Sequence, residues 1–389
     1  MQQVIPANTL RVQCASVLRA VGSSAAEAEK VAANLVMANL SGHDSHGVGM
    51  LPRYVDAVLE GGLSPNASVQ TVLDAGSLLS LNGQRGYGQV IGEQAMALGI
   101  ARAKSHGSCI LALAESHHLG RIGHFAEMAV AQGLVSLHFV NVRTRAVVAP
   151  WGGSDGRFGT NPCCIGIPLN KTRNAQPPPS QQGPRDWLGQ TAGAAVPPGG
   201  SAVHEVASVR AHFILDFATS RVAQGKMRVA HNQGKQVASG LLMDAHGQPT
   251  TDPGVVVVPQ PNGFFGALMP FGEHKGYGLA VACELLGGAL TGGGTWHSPS
   301  VQGRAIINSM LTILIDPAKL GTQAAFDVEA RAFVDWLRQS PPAEGFDAVQ
   351  IAGDPERAMR LQREQDGIEV DSLTWQEIIE AAAKVGATI

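Results

Sequence analysis

The stretch SGHDSHGVGMLPRY, residues 41–54, lies between two helical patterns, and we expect the fold to be organised around it. A tight turn needs only Gly, Asn, Asp or Ser, so the consecutive His43, Asp44, Ser45 and His46 predict a functional loop. The structural alternative is a helix stop with incidental histidines. Because imidazole titrates near neutral pH, His46 is the first candidate for proton transfer, with Ser45 and Asp44 as groups that orient its ring or relay the proton.

Helical periodicity flanks this loop and returns near the C-terminal end. Apolar residues recur there every three to four positions, which is the spacing of one helix face. Ser24 with Glu27, and Thr374 with Glu377, fit capping boxes at two helix starts. The predicted helices cover residues 8–21, 24–40, 51–59, 89–104, 279–286, 323–338, 356–365 and 375–385, and a further one lies in the segment 115–133.

Short apolar runs between these helices predict strands. They cover residues 69–81, as one or two strands, and residues 108–114, 134–142, 209–217 and 305–315. The order strand, helix, strand over residues 108–142 indicates a sheet with helices packed on it, and hence an α/β fold. Residues 171–208 are rich in Pro, Gly, Ser, Gln and Ala, which predicts a mobile and dispensable surface insertion.

Composition restricts the classes of function. The 389 residues exceed the usual size of one domain, so two domains are expected. A net charge of -3 offers no basic field for nucleic acid. Five cysteines without a C-x-x-C pattern predict neither a disulfide framework nor a structural zinc site. Lacking a signal-peptide pattern and an apolar run of about 18 residues, the sequence predicts a cytoplasmic protein that binds neither nucleic acid nor membrane.

A second cluster of imidazoles, ESHHLGRIGH at residues 115–124, lies where a predicted strand passes into a predicted helix. Ligands and catalytic groups often collect at the carboxyl ends of strands in α/β folds. We therefore expect the neighbours His117 and His118 to be functional. The structural alternative for a buried histidine is a satisfied core residue.

Two further segments suit an anionic ligand, FGEHKGYG at residues 271–278 and TSRVAQGK at residues 219–226. Each combines small residues with a lysine beside a helix start, whose free N–H groups can receive phosphate oxygens. Together they predict a pyrophosphate-bearing cofactor, and two ordinary Gly-containing helix starts are the alternative. The sequence has neither a G-x-G-x-x-G nor a P-loop pattern, so a Rossmann turn and a P-loop nucleotidase are not predicted.

Six motifs, taken in order, resemble the malate/L-lactate dehydrogenase family that lacks a Rossmann fold and includes sulfolactate, ureidoglycolate and diketogulonate dehydrogenases. The resemblance implies interconversion of 2-oxo and 2-hydroxy acids with NAD or NADP by a homodimer. It implies an α/β (α+β) fold in which residues 76–321 form a non-Rossmann NAD(P)-binding domain on a mixed or mostly antiparallel sheet. Residues 1–75 and 322–389 would form a helical domain from both termini. The motifs are GHDSHGVGMLPRY, ESHHLGRIGHFAEMA, RFGTNP, LDFATSRVAQGK, FGEHKGYGLA and DPERAMRLQREQDGIEVD.

The resemblance also implies roles for individual residues. His46 is the first assignment for proton transfer, with Ser45 as its partner, and His118 is the second, binding or polarising the substrate oxygen. Thr160 is implied to face the substrate. No metal is implied. The implied cofactor contacts are His46, Asp216, Thr219, Ser220, Gly225, Lys226, His274, Lys275, Gly276, Gly353, Asp354 and Glu356.

Position 50 departs from the family pattern. Many relatives have an arginine four residues after the DSHG histidine, where this chain has Met50. The carboxylate of a 2-oxo acid is best held by a bidentate guanidinium, so another arginine is needed. Arg53, Arg121 and Arg143 are the candidates, with Arg121 first because it would follow His118 by three positions on a helix.

Two other classes of function stay open at this point. His43, Asp44, His46 and the second cluster have the residue types of a metal-dependent hydrolase, although adjacent His43 and Asp44 would need unusual folding to converge on one ion. The same loops could instead bind NAD(P) or a metabolite in a non-catalytic sensor. Without a Rossmann acidic residue, the sequence does not choose between NAD and NADP.

Overall fold

The computed structural model describes residues 3–169, 212–298 and 305–389. The insertion predicted at residues 171–208 lies outside these ranges, as do the first residues of the strand predicted over 209–217. The α-helices are α1 (Ala7–Ala20), α2 (Ala25–Leu40), α3 (Leu51–Leu59), α4 (Gly88–His106), α5 (Gly123–Ala131), α6 (Gln224–Asn232), α7 (His274–Cys283), α8 (Gln323–Arg338), α9 (Asp354–Asp366) and α10 (Ser372–Lys384).

The strands lie mostly in the middle of the chain. They are β1 (Gln3–Ile5), β2 (Gln70–Ala75), β3 (Leu78–Asn82), β4 (Ser108–His117), β5 (Val135–Arg143), β6 (Cys163–Ile167), β7 (Phe213–Phe217), β8 (Leu242–Met243), β9 (Pro249–Thr250), β10 (Ala267–Leu268), β11 (Ile307–Ile315) and β12 (Ile368–Val370).

Seven strands form the main sheet, in the order β2-β3-β4-β11-β5-β6-β7. Strands β3 and β4 run parallel, because α4 connects them as a crossover, and the other neighbours in this sheet run antiparallel. The prediction of a mixed, mostly antiparallel sheet is confirmed. The C-terminal strand β11 lies at its centre, between β4 and β5.

Helices α4 and α5 cover one face of this sheet. Side chains on alternate sides of a strand point to opposite faces, and one set packs with these helices into a shared core. Asp216 lies on this covered face at the end of a row of paired residues. The row runs Leu79, Leu111, Thr312, His138, Cys164 and Asp216 across six strands.

The opposite side carries a row of apolar side chains, which we call the open face. Each of its residues is the sequence neighbour of a residue in the first row, so the two rows cross the same six strands on opposite faces. The second row contains no charged residue. Leu78 and Ile110 are 45% and 44% exposed. The row runs Leu78, Ile110, Ile313, Leu137, Ile165 and Leu215, and its last four members are half-buried.

Helices from both ends of the chain share a second core. Apolar side chains of α1, α2 and α3 pack there with Ile378, Ala381 and Ala382 of α10, and β1 pairs with β12. This confirms that both termini build a helical part. The boundaries predicted for the two domains remain a prediction. Within the described residues, none of the helices combines the length and apolar character that crossing a membrane requires.

Helix starts were the least accurate part of the predictions. The last helix begins at Ser372 and is capped by Asp371, whose carboxylate accepts a hydrogen bond from the Thr374 N–H at 2.9 Å. The Thr374–Glu377 capping box is therefore wrong, because the aspartate three residues earlier takes the cap position. Helix α7 begins at His274, inside FGEHKGYG, rather than at residue 279.

Candidate active site

His46 and His118 lie face to face. Their ring centroids are 5.5 Å apart and the ring planes differ by 15°. His46 comes from the short turn after α2, and His118 comes from the residue that follows β4. The fold thus brings together the two imidazole clusters that the sequence had identified separately.

Asn39 fixes the turn that carries His46. Its side-chain oxygen accepts from the Val48 N–H at 2.8 Å, and its amide donates to Asp44 at 2.6 Å. A Cβ added to Gly47 would lie 2.1 Å from the Asn39 oxygen, so the close approach requires glycine there. Asp44 also pairs with Arg363 of α9 at 2.7 Å. Asp44 therefore anchors the turn, and Ser45 is the residue that contacts the imidazole.

Ser45 holds the His46 ring from one side. The Ser45 Oγ lies 2.9 Å from His46 Nδ1. Helix α6 packs closely behind the serine, because a Cβ added to Gly225 would lie 2.5 Å from the Ser45 Cβ. Burial, followed by the charges of His43 and Arg121, lowers the pKa of His46 to about 4. His46 is therefore neutral at pH 7.

The adjacent histidines of the second cluster have different surroundings. His118 Nδ1 lies 2.7 Å from the buried Tyr54 hydroxyl, and burial lowers the pKa of His118 well below its usual value. His117 is fully buried, and its Nε2 accepts from the Ile306 N–H at 3.2 Å. His118 therefore belongs to the site, whereas His117 is packed as a core residue.

The three candidate arginines differ in their contacts. Arg121 is buried and pairs with Glu127 at 2.6 Å. It precedes α5, which begins at Gly123, so the prediction that it shares a helix with His118 is wrong. Between β4 and α5 the chain turns at Gly120, which has a positive φ of 75°. Arg143 donates to Glu115 at 3.2 Å and to the Gly293 carbonyl at 2.7 Å.

Arg53 is exposed on α3 and donates to the Thr144 hydroxyl at 2.6 Å. Its charge contributes to the lowered pKa of His118, after burial and the neighbouring histidines, so its guanidinium lies within electrostatic range of the site. Met50, the position at which the resemblance implies an arginine, packs its side chain in the helical core.

Three of the predicted cofactor or substrate motifs meet through Thr219. Its N–H donates to the Thr160 carbonyl at 3.0 Å, and its hydroxyl donates to the carbonyls of Thr160 and Asn161 at the same distance. The Phe271 N–H donates to the Thr219 carbonyl at 3.1 Å. Ser220 forms a bridge with Pro270. GTNP, FATS and FGEHKGYG therefore form one surface, although they are far apart in sequence.

Two carboxylates lie beside the turn of residues 41–54. Asp216 accepts from the Gly123 N–H at 2.7 Å and so caps α5, and burial raises its pKa. Glu356 Oε1 lies 3.3 Å from His43 Nε2. The other oxygen of Glu356 is buried and has no partner within the described residues. A buried acceptor without a donor indicates that this position can receive a ligand hydroxyl.

The other implied cofactor residues differ in their contacts. Asp354, the first residue of α9, pairs with Arg338 and Arg357 and accepts from the Ile351 N–H at 2.9 Å. Gly353 precedes it with a φ of 96°, which favours glycine. Gly276 is buried against the Phe271 carbonyl. The exposed residues of this set lie in the first turns of α6 and α7 and are Lys226, His274 and Lys275.

Across residues 3–169, 212–298 and 305–389, no group of three His, Cys, Asp or Glu side chains is arranged to hold a metal ion. His124, the remaining member of the second cluster, pairs with Glu93 at 2.9 Å. The donor residues of a metal-dependent hydrolase are therefore directed to other partners, and that alternative gains no support.

Sequence reasoning missed Tyr54 and Gln89, which lie directly behind His118. Gln89 Nε2 donates to the Tyr54 hydroxyl at 2.7 Å, and both side chains are fully buried. Tyr54 occupies an apolar position in the periodic pattern of α3, so the pattern predicts a core residue. The contact with a histidine 64 positions away leaves no local signal.

Comparison with known proteins supports one family. A family model described as malate/L-lactate dehydrogenase matches residues 5–176 and 197–379. Hydroxycarboxylate dehydrogenase B of Escherichia coli (strain K12) is 40% identical over 98% of this chain and 94% of its own length. An L-lactate dehydrogenase of Cupriavidus necator is 36% identical, over 93% of this chain and 92% of its own.

A solved E. coli structure assigned to the malate/lactate dehydrogenases has the same fold. It is 39% identical in sequence and superimposes with a TM-score of 0.84, covering 99% of this chain and 96% of that one. The matches in sequence and in structure extend over nearly the full length. The chain belongs to the malate/L-lactate dehydrogenase family.

Proposed function

We propose that this chain interconverts a small 2-oxo acid and the corresponding 2-hydroxy acid by hydride transfer. Family membership already makes it a 2-hydroxyacid dehydrogenase that uses a nicotinamide cofactor. The observation that carries the assignment to this site is the contact between His46 and His118, with ring centroids 5.5 Å apart. Carbonyl reduction needs a group that polarises the oxygen and a group that delivers a proton, and two adjacent imidazoles supply both.

The two imidazoles have different partners, which supports different roles. His46 Nδ1 contacts the Ser45 hydroxyl, which can exchange a proton with it, so we assign proton transfer to His46. His118 is held by Tyr54 and is neutral, and we assign it to polarising the substrate oxygen. A neutral imidazole can act as such an electrophile. An anionic substrate beside His46 would raise its pKa and favour the protonated donor.

The residues around this pair fit a nicotinamide dinucleotide. The unpartnered Glu356 oxygen can accept from a ribose hydroxyl, and the first turns of α6 and α7 offer N–H groups and lysines for phosphate oxygens. The cofactor supplies or accepts the hydride when it is bound. We propose Asp216, Thr219, Ser220, Gly225, Lys226, His274, Lys275, Gly276 and Glu356, with Gly353 and Asp354, as the residues that line its site.

We propose that Arg53 holds the substrate carboxylate. Arg53 is exposed, and its guanidinium lies within electrostatic range of His118. Thr160 lies on the same side as the cofactor motifs through its bond with Thr219, which supports its role beside the substrate.

The direct test is turnover by the purified protein. NADH and NADPH are each mixed with pyruvate, oxaloacetate, phenylpyruvate and hydroxypyruvate, and loss of the reduced-cofactor absorbance is followed. We expect at least one pair to react and the preferred coenzyme to emerge from the comparison. Saturable binding of cofactor without turnover across the panel would instead support the non-catalytic sensor.

We further propose that the chain acts as a homodimer through the open face. A monomer seldom leaves an apolar row across six strands partly exposed to water. The row carries no charge, so its partner must also be apolar, and a second copy of the same face satisfies this. Helix α8 packs at the edge of the face against Ile167 and Phe213 and leaves Phe333 and Trp336 exposed.

We also propose the cytoplasm as the place of action. The five cysteines are free and buried, which suits a compartment that keeps thiols reduced.

A further inference from the structure

Tyr54 and Gln89 form a buried hydrogen-bond chain that ends on His118. Gln89 Nε2 donates to the Tyr54 hydroxyl at 2.7 Å, and that hydroxyl lies 2.7 Å from His118 Nδ1. Tyr54 and Gln89 are fully buried, and His118 is 9% exposed. The three side chains come from α3, from the first turn of α4 and from the end of β4. Three elements therefore converge on one imidazole nitrogen.

The chain has a direction. Because the Gln89 amide donates to the Tyr54 oxygen, the hydroxyl hydrogen of Tyr54 remains available for His118. Burial raises the pKa of Tyr54, so the phenol keeps this hydrogen. His118 Nδ1 must then accept it. A neutral imidazole carries a single N–H, which leaves the hydrogen of His118 on Nε2, the nitrogen facing away from Tyr54.

We infer that Tyr54, oriented by Gln89, is a positioning residue that fixes His118 in the Nε2–H tautomer and thereby presents an N–H to the substrate oxygen. This inference rests on the proposed function for what the N–H contacts, but the tautomer itself is a property of the protein alone. Histidines that act on ligands generally take their tautomer from the hydrogen bond at the second nitrogen.

The opposite arrangement is chemically distinct. Were Tyr54 to donate to Gln89 Oε1, its oxygen would accept from His118 Nδ1–H, and Nε2 would carry a lone pair. His118 would then repel a carbonyl oxygen instead of polarising it. In the structure the Gln89 amide nitrogen, rather than Oε1, lies 2.7 Å from the Tyr54 hydroxyl, which corresponds to the first arrangement.

Nitrogen-15 NMR of protein labelled on its histidine rings tests the tautomer without turnover. The His118 signals are assigned by their loss in His118→Gln. We expect Nε2 to be protonated and Nδ1 unprotonated at pH 7 in the wild type, and a mixture of tautomers in Tyr54→Phe. A wild-type spectrum with the proton on Nδ1 overturns the inference.

Kinetics of the same variants test the consequence. With the best cofactor and 2-oxo acid pair from the panel, Tyr54→Phe should lower kcat by roughly tenfold, the order of one lost hydrogen bond to the imidazole. Binding of the reduced cofactor should be unchanged. The matched control is Tyr87→Phe, which removes an equally buried hydroxyl from a ring packed edge-on to Tyr54 at 5.8 Å. The kcat of Tyr87→Phe, and the tautomer of His118 in this variant, should match those of the wild type.

Two results distinguish a failure of the positioning role from a failure of the proposed function. A Tyr54→Phe variant that keeps both the wild-type tautomer and the wild-type kcat refutes the positioning role. If the wild type reduces none of the 2-oxo acids, the proposed function fails, and the 15N spectra still decide the tautomer. Gln89→Met, which keeps the side-chain length and removes the amide donor, provides a second variant should Tyr54→Phe fail to fold, and we expect the same loss of a single tautomer.

Discussion

The pH dependence of activity should report the environment of His46. Oxidation of a 2-hydroxy acid needs a neutral imidazole as base, and burial lowers the pKa of His46 to about 4. We therefore expect kcat/KM for oxidation to hold its plateau below pH 6.5 and to fall only toward pH 4. The measurement is kcat/KM against pH, which reports the free enzyme.

Variants assign that profile to one residue. His46→Ala should lose about 100-fold or more of kcat/KM, in keeping with the contribution of a positioned acid or base, while still binding reduced cofactor. His124→Gln is the control, because its imidazole pairs with Glu93 instead. A His46→Ala variant with wild-type turnover would remove His46 from proton transfer.

Substrate affinity should depend on Arg53. Replacing it by Gln removes the guanidinium but keeps a polar side chain, so we expect KM for the 2-oxo acid to rise by roughly tenfold, the order of one charge-assisted hydrogen bond. Arg53→Lys should recover only part of the loss, because an ammonium cannot pair bidentately. Arg19→Gln, an exposed arginine on α1, is the control. An unchanged KM in Arg53→Gln would move the carboxylate site elsewhere.

At the scale of single residues, the sequence identified chemistry better than contacts. The residue types and motif order predicted His46, Ser45 and His118, and the structure brings these three together. Asp44 was predicted to assist the imidazole, but it pairs with Arg363, which is 319 positions away. Such partners depend on how α9 packs on the turn, and a single sequence does not contain that information.

At the scale of elements, the spacing between α6 and the catalytic turn should be sensitive to one methyl group. A Cβ at Gly225 would lie 2.5 Å from the Ser45 Cβ, which is too close for two carbon atoms. Gly225→Ala should therefore displace Ser45 and His46, and a shift of about 1 Å can cost up to about 100-fold in rate. We expect kcat to fall while the helical circular dichroism signal stays unchanged.

The control for this variant lies at the first residue after the same helix. Gln233→Ala changes the exposed C-terminal end of α6, away from the turn, and should leave kcat unaltered. Wild-type kcat in Gly225→Ala would mean that α6 does not set the position of the imidazole.

Elements were predicted most accurately where a pattern and a boundary signal agreed. Helix α8 spans Gln323–Arg338, as its periodicity predicted, and α4 ends at His106, just before Gly107, whose φ is 92°. Helix α7 begins inside FGEHKGYG because Glu273, with a positive φ of 57°, turns the chain into the helix. A non-glycine residue in that conformation is uncommon, so the sequence gives no sign of it.

Acid should destabilise the whole molecule through its buried histidines. Burial lowers the pKa of His138 to about 3, whereas the unfolded chain titrates near 6.5. Between these values the unfolded state binds more protons, so the stability present above pH 6.5 is lost as pH falls toward 3. We expect the free energy of unfolding in urea to decrease steadily from pH 6.5 to pH 4.

Removing one such histidine should flatten that curve. His138→Gln, which is distant from the site and loses a bond of 2.9 Å to Thr312, should be less stable at pH 7 yet less dependent on pH. The exposed His106 serves as the control through His106→Gln. An identical slope in wild type and His138→Gln would exclude this histidine as a source of the acid sensitivity.

The assembly of the whole molecule should depend on the centre of the open face. Ile313 lies on β11, in the middle strand of the sheet, and its neighbours in the row are Ile110 and Leu137. In a dimer joined through this face, Ile313→Lys would bury an unpaired ammonium against apolar side chains, at a cost of several kcal/mol. We expect analytical ultracentrifugation to show a dimer for the wild type and a monomer for Ile313→Lys. Val12→Lys, at an exposed apolar position on α1, should remain dimeric. A monomeric wild type, or a dimeric Ile313→Lys, would show that the open face does not join two copies.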